Sequence, residues 1–145
     1  MSARQKGRKR ALDILYAADL RHEEVTAVLE AEASRQAEKP EQAQSFGFAR
    51  ELIEAIIAHQ AEIDQLITQT STAWPLERMP IIDRSVLRLG TGELMTMPDT
   101  PSAVIISEAG GLAAEYSTDE SRGFVQGVLG TIAETLRGEP PREGR

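Results

Sequence analysis

The sequence predicts an all-α domain of six or seven helices, on three observations. Apolar residues recur at spacings of three and four through most of the chain, the period of a helix buried on one face. No segment alternates apolar and polar residues as a half-buried strand does. Clusters of Pro, Gly, Ser and Thr interrupt the periodic stretches where short connections are needed. A length of 145 residues suits one domain with a core of its own.

The first helix is predicted from about Arg8 to Leu20, with Ala11, Leu12, Ile14, Leu15 and Ala18 on its apolar face. Residues 1–7 precede it as a flexible basic arm. Val25, Val28 and Leu29 indicate a second, weaker helix ending near Lys39 and Pro40. Phe48, Leu52, Ile53, Ile56 and Ile57 give a third, and Ile63, Leu66 and Ile67 either continue it or follow a bend near His59 to Glu62. Thr68 to Ala73 reads as a loop.

The most regular segment is next, from Pro80 to Met97. Pro80 suits a helix start, where no amide hydrogen bond is lost. Ile82, Val86, Leu89, Gly90 and Leu94 share a stripe, and Asp83 stands in the first turn, at the positive end of the helix. This is the predicted central helix. Gly90 and Gly92 each cost about 1 kcal/mol relative to Ala in a helix, so close packing is expected there. After the turn at Pro98 to Ser102, Val104, Ile105, Ala109, Leu112, Ala113 and Tyr116 mark another helix. Phe124, Val125, Val128, Leu129, Ile132 and Leu136 mark the last. Gly123 and Gly127 lie on one face of it and permit another backbone to approach. The helical domain thus occupies residues 1–137. Residues 138–145, with two prolines and two glycines, read as a disordered tail.

Several chemistries are excluded by composition. There is no cysteine, hence no disulfide, thiolate nucleophile or Cys-based zinc site. His22 and His59 are too few for a zinc site, so no metal or cofactor is expected. Gly90-Thr91-Gly92 lacks the third glycine of a dinucleotide loop, and Gly127 to Gly130 has no following lysine. No serine has a nucleophile elbow around it. No apolar run approaches the roughly 20 residues that span a bilayer. Asp13 and Asp19 interrupt the stretch after the basic start, against a targeting signal. The expectation is a cytoplasmic binding protein and not an enzyme.

The charge is asymmetric. The net charge is −7, yet the first ten residues hold Arg4, Lys6, Arg8, Lys9 and Arg10 and no acid. Subtracting those five from 16 bases leaves 11 against 23 acids, a net −12 after residue 10. Cations at the start of a helix oppose its macrodipole, which favours a ligand role for them over a solvated face. Mobile cations can contact phosphates and release counterions. Phe124 has two readings, a base-stacking ring or a core residue in register with Val128. Arg78, Arg84 and Arg88 read as helix-surface residues in salt bridges.

Four blocks resemble the family of the transcription antitermination protein NusB. They are Arg8-x-x-Ala11-Leu12-x-x-Leu15-Tyr16, the stretch from Trp74 through Arg78-Met79, Asp83, Leu87-Arg88-Leu89 and Glu93-Leu94, then Pro101-x-x-Val104-Ile105-Ile106-Ser107-Glu108-Ala109, and Phe124-Val125-Gln126-Gly127-Val128-Leu129. They occur in the family's order between Arg8 and Leu129. The chain departs from the usual pattern at Ser107 and Gln126, where the family has Asn, at Ala114, where it has Lys, and at Gly110 and Gly111, where it has larger residues.

The resemblance implies two packed helical subdomains and binding to the boxA element of ribosomal RNA leader transcripts. It implies NusE, a ribosomal small-subunit protein, as partner, within an RNA polymerase antitermination complex, and some members of the family form homodimers. It puts Arg4, Lys6, Arg8, Lys9, Arg10, Phe124 and Gln126 on the RNA side, and Trp74, Glu77, Arg78 and Asp83 toward NusE. Asp83 is equally readable as a helix-dipole carboxylate. The alternatives are a helical protein–protein module without RNA binding, or an accessory domain of the kind that precedes ribosomal RNA methyltransferase domains.

Overall fold

A computed structural model of the chain describes residues 1–140, and every regular element among them is helical. Seven α-helices follow in order: α1 Ala3–Arg21, α2 Val25–Gln36, α3 Ala43–Ala58, α4 Gln60–Thr70, α5 Ile81–Thr96, α6 Ser102–Tyr116 and α7 Asp119–Arg137. Short 3-10 turns at Pro40–Gln42 and Leu76–Arg78 precede α3 and α5. Helices α1, α2 and α3 pack together as one subdomain, and α4, α6 and α7 gather with α5 as the other. α5 touches α1, α3, α4, α6 and α7, so both subdomains share it as their core.

The central helix begins after Pro80, as its sequence requires, and ends at Thr96 before Pro98. Its stripe is buried at Val86, Leu89, Gly90 and Leu94 and half-buried at Ile82, and Leu87 joins the core beside it. The expected close packing at its glycines is present. A Cβ at Gly90 would stand 2.5 and 2.9 Å from the two methyls of Leu129, and one at Gly92 would stand 3.0 Å from Ile56 Cγ1. These contacts let α7 and α3 lie directly on α5. By contrast, nothing comes within 4 Å of where a Cβ would sit on Gly123 or Gly127. The second backbone expected there does not approach; both face outward.

Local signals set several of the boundaries. α1 begins at Ala3, well ahead of Arg8, because Ser2 and Gln5 form a capping box: Gln5 N–H donates to Ser2 Oγ and Ser2 N–H to Gln5 Oε1. The basic residues expected on a flexible arm therefore ride on a helix. Gly7 seats that helix, since a Cβ there would lie 2.8 Å from Phe48 Cδ2 and from the Ser45 carbonyl. The third helix bends at His59, which leaves helical geometry and separates α3 from α4. The tail expected from Gly138 is described only to Pro140. Gly138 closes α7 in the left-handed region, φ 61°, and Glu139 accepts a hydrogen bond from the Ser102 hydroxyl. Residues 141–145 lie outside the described residues.

Polar clamps fix the directions of the helices. Asp19 accepts from Arg84 Nε at 2.6 Å and Nη2 at 2.8 Å, tying the C-terminal end of α1 to the start of α5. Arg88 adds a contact to Asp19 at 3.6 Å and pairs with Asp64 of α4 at 2.9 Å. At the other end of α5, the Arg137 guanidinium donates to the carbonyls of Leu94, Met97 and Thr100 at 3.1, 3.0 and 2.7 Å. It satisfies the Leu94 carbonyl, which the helix end leaves without a partner, and ties the turn after α5 to α7. α1 thus runs antiparallel to α5, and α7 parallel to it.

Two outcomes test this packing. Leu129→Ala should destabilise by about 2–5 kcal/mol. Gly90→Ala should be tolerated better in that background than in the wild type, because the clashing methyls are gone; additive denaturant midpoints would show that the two positions do not share space. The Arg84 hydrogen bonds hold the Asp19 carboxyl below its ordinary value of 3.8. The contribution of this pair is therefore present above that value and lost as pH falls through the lower, folded-state one. Arg84→Met should flatten the loss of melting temperature in that acid range, and parallel wild-type and mutant curves would remove the pair as its cause.

Candidate nucleic-acid interface

The cations of α1 divide by helical phase. At about 100° per residue, Lys6, Lys9 and Arg10 fall within roughly 100° of arc. Arg8 falls on the opposite side, in phase with Ala11, Leu12, Leu15 and Ala18. The structure follows this division. Arg8 is 6% exposed, and its Nε and Nη2 donate to the two carboxylate oxygens of Glu93 at 2.9 and 2.6 Å. Glu93 is 2% exposed. Arg8 therefore leaves the set of residues expected to meet RNA: its charge is consumed by a buried carboxylate on α5.

The remaining cations are at the surface, Lys6, Lys9 and Arg10 as a ridge and Arg4 near the helix start on the side of Phe48. Arg4 is exposed, donates to Thr100 Oγ1 at 3.0 Å, and lies with its guanidinium carbon 5.0 Å from the centre of the Phe48 ring. Arg8 lies 5.4 Å from the same ring, so Phe48 carries two guanidinium groups. Lys6 is exposed. With Arg10 it lines a cleft of about 350 Å³ whose other walls include Glu41, Gln42, Gln44 and Ser45. Arg10 donates to the Gln42 side chain and lies 3.9 Å from Glu32. Lys9 pairs with Asp13 at 2.6 Å and stands 4.7 Å from the centre of the Tyr116 ring. Gln5 donates to Glu108 at 3.0 Å. The ridge is thus flanked by α6 on one side and by the turn before α3 on the other.

Phe124 and Gln126 are not part of this ridge, nor of one site together. Two residues apart on α7, they face opposite ways. Phe124 is half-buried and packs on Trp74, ring centres 4.9 Å apart and tilted by 58°. Gln126 turns toward α6 and fills the space a side chain at Gly110 would need, with Cδ and Cγ 2.8 Å from the would-be Cβ. It also lines a cavity of about 410 Å³ with Ser102, Ile106, Ser107, Ala133 and Glu134. Arg8 is anchored at Glu93 and the start of α7 at Asp83, ten residues apart on α5, so the ridge and Phe124 are separated by about 15 Å along that helix.

Of the residues expected to face a protein partner, Glu77 and Arg78 are exposed and Trp74 is half-buried against Phe124. Asp83 is corrected: it is 0% exposed, and both its oxygens accept from Ser121 Oγ, at 3.0 and 2.9 Å. It anchors the start of α7. Arg84 and Arg88 form the expected salt bridges. The sequence pattern does not single out Tyr116. It reads there as part of an apolar stripe, but it is 41% exposed. Val104, read the same way, is 43% exposed. Tyr116 ends α6, one position before the chain turns, and that terminal placement is the signal.

A substitution test separates the buried pair from the ridge. Glu93→Gln leaves the Arg8 guanidinium buried without its counter-charge and should destabilise by about 3–5 kcal/mol. Replacing Arg8 and Glu93 together by Met should recover most of that, because no charge is stranded. A Glu93→Gln variant with wild-type stability would show that Arg8 is not held by this pair.

The NusB family model matches residues 5–134. The transcription antitermination protein NusB of Clavibacter michiganensis subsp. michiganensis is 50% identical over 135 residues, covering 93% of this chain and 98% of that protein. Among solved structures, T. maritima NusB superposes with a TM-score of 0.78 at 32% identity, over 90% of each chain. A structure of antitermination factors NusB and NusE in complex with dsRNA matches with a TM-score of 0.78 at 26% identity, over 93% of this chain and 98% of that one.

Proposed function

We propose that this chain, which belongs to the NusB family, is a transcription antitermination factor that binds boxA RNA of ribosomal RNA leader transcripts together with NusE. The observation that carries the RNA part is the cationic ridge of α1. Lys6, Lys9 and Arg10 project from one arc of a capped helix, with Arg4 exposed near its start on the side of Phe48, on a chain otherwise net negative. Phosphates contacted there release counterions, and the acidic remainder repels RNA from the rest of the surface. Because α1 is clamped to α5, the cations are held ready for the strand, which lowers the ordering cost of binding.

The protein partner is assigned to a separate surface. Glu77 and Arg78 are exposed beside the half-buried Trp74, at the far end of α5 from the Arg8–Glu93 pair. The acidic body favours a basic partner through charge complementarity. The NusB and NusE structure with RNA supports joint binding of this kind. In this reading the protein works in the cytoplasm, within an RNA polymerase antitermination complex.

A salt titration of RNA affinity tests the reading, with and without NusE, against single-stranded boxA RNA, its scrambled counterpart and a duplex. If the four surface cations each meet a phosphate of a single strand, log affinity should fall with log salt at a slope of about −2.8, from about −0.7 per contact. Replacing Lys6 and Arg10 by Ala should reduce the slope to about −1.4 by the same rule. Equal slopes for wild type and variant would remove the ridge as the RNA surface, and equal affinity for boxA and scrambled RNA would remove the sequence preference.

A further inference from the structure

We propose that the ring of Tyr116 is a stacking platform for one base of the bound single strand, with Lys9, which rests over the ring in the free protein, moving to a phosphate beside it as the base takes its place. This rests on the RNA-binding reading above and assigns a contact at the same site. The chain has six aromatic residues. Four are engaged by packing: Phe48 lies buried beneath Arg4 and Arg8, Trp74 and Phe124 pack on each other, and the half-buried Phe46 has the Arg50 guanidinium 5.8 Å from its centre. The two tyrosines are exposed, Tyr16 by 37% and Tyr116 by 41%. Only Tyr116 has a cation of the ridge over its ring.

The local geometry suits a base. The Lys9 ammonium stands 4.7 Å from the ring centre and pairs with Asp13, 2.6 Å away and one turn on, in surface contacts that exchange readily for a base and a phosphate. An aromatic face beside a backbone-seeking cation is the minimal arrangement for sequence-tolerant binding of single strands. The platform is also rigid. Tyr116 is the last residue of α6, and the next residue, Ser117, donates its N–H to the Ala113 carbonyl at 2.8 Å. Thr118 and Ser121 then form a capping box for α7, and Ser121 is anchored to the buried Asp83. Partial burial, aided by the Glu115 and Asp13 carboxylates and opposed by Lys9, raises the Tyr116 phenol above its ordinary value. The ring therefore stays neutral and adds no charge repulsion against phosphate.

The test measures affinity for a short single-stranded boxA RNA carrying 2-aminopurine, with a melting curve for each protein. Tyr116→Ala should weaken binding by about 5- to 140-fold while leaving the salt slope unchanged. Tyr116→Phe, which keeps the ring, should stay within about twofold of wild type. For one 2-aminopurine position, wild type and Tyr116→Phe should quench the fluorescence by stacking, and Tyr116→Ala should not. Tyr116→Leu retains apolar volume without a π-face and should bind as Tyr116→Ala does, even if the alanine variant melts early. Wild-type affinity in Tyr116→Ala or Tyr116→Leu would overturn the stacking role and leave the RNA reading intact. A wild-type protein that binds neither boxA nor scrambled RNA would overturn both.

Discussion

The structure depends on one constraint: α5 is enclosed by other helices and yet carries two carboxylates into the interior. A buried carboxyl group left without a hydrogen-bond partner penalises the fold by about 1–3 kcal/mol, and by more when charged. Asp83, in the first turn, takes the Ser121 hydroxyl; Glu93, near the last, takes the Arg8 guanidinium. These two solutions fix two places at once. Satisfying Glu93 pins the N-terminal turns of α1 against the body. Satisfying Asp83 pins the corner where α6 ends and α7 begins. Lys6, Lys9 and Arg10 flank Arg8 along the same turns of α1, and Tyr116 lies at that corner. The core's need to satisfy its buried polar groups thereby organises the surface.

The electrostatics follow from the same arrangement. Of the five cations in the first ten residues, Arg8 is neutralised internally, and Arg10 and Lys9 are restrained by polar neighbours. Restraint differs from neutralisation. The Lys9–Asp13 pair is a partly exposed i,i+4 contact, worth little in water and easily exchanged for a phosphate. The Arg8–Glu93 pair is shielded from solvent and salt and has no such freedom. What a strand of RNA meets is therefore a ridge narrower than the charge count suggests, on a helix whose position does not have to be created on binding.

Much of this is legible in the sequence, and what is not turns on helix phase, on a helix end or on a contact distant along the chain. The central helix was readable because its apolar period, flanking prolines and costly glycines all point the same way, and Leu129 and Ile56 do occupy the space at Gly90 and Gly92. Arg8 was misplaced because charge was counted along the chain while exposure is decided around the helix. Extending the phase of Ala11, Leu12 and Leu15 back one turn puts Arg8 inside. The resemblance sets Phe124 and Gln126 on one side, though residues two apart on a helix point apart. Asp83 had a correct element and an incorrect environment: nothing local says that Ser121, 38 positions later, comes to it. Tyr116 was absorbed into a stripe because its spacing fits. Its exposure depends on α6 ending there, which is a property of the turn and not of the period.

The departures from the family pattern on α6 and α7 can be placed by the same reasoning. The resemblance has Asn where Gln126 stands and a larger residue where Gly110 stands. Taken singly, each puts a contact in doubt. In the structure they face each other: the Gln126 side chain lies where a Cβ at position 110 would be. Interiors are packed closely enough that one added methylene must be accommodated, and a removed side chain leaves room for about that much. The two changes therefore act as one exchange of volume between α6 and α7, which keeps the helices in register and an amide in the groove between them. Gly111 is different, since nothing lies within 4 Å of its missing Cβ, and its smallness compensates for nothing the structure contains. Of the two adjacent glycines, only Gly110 is explained by packing.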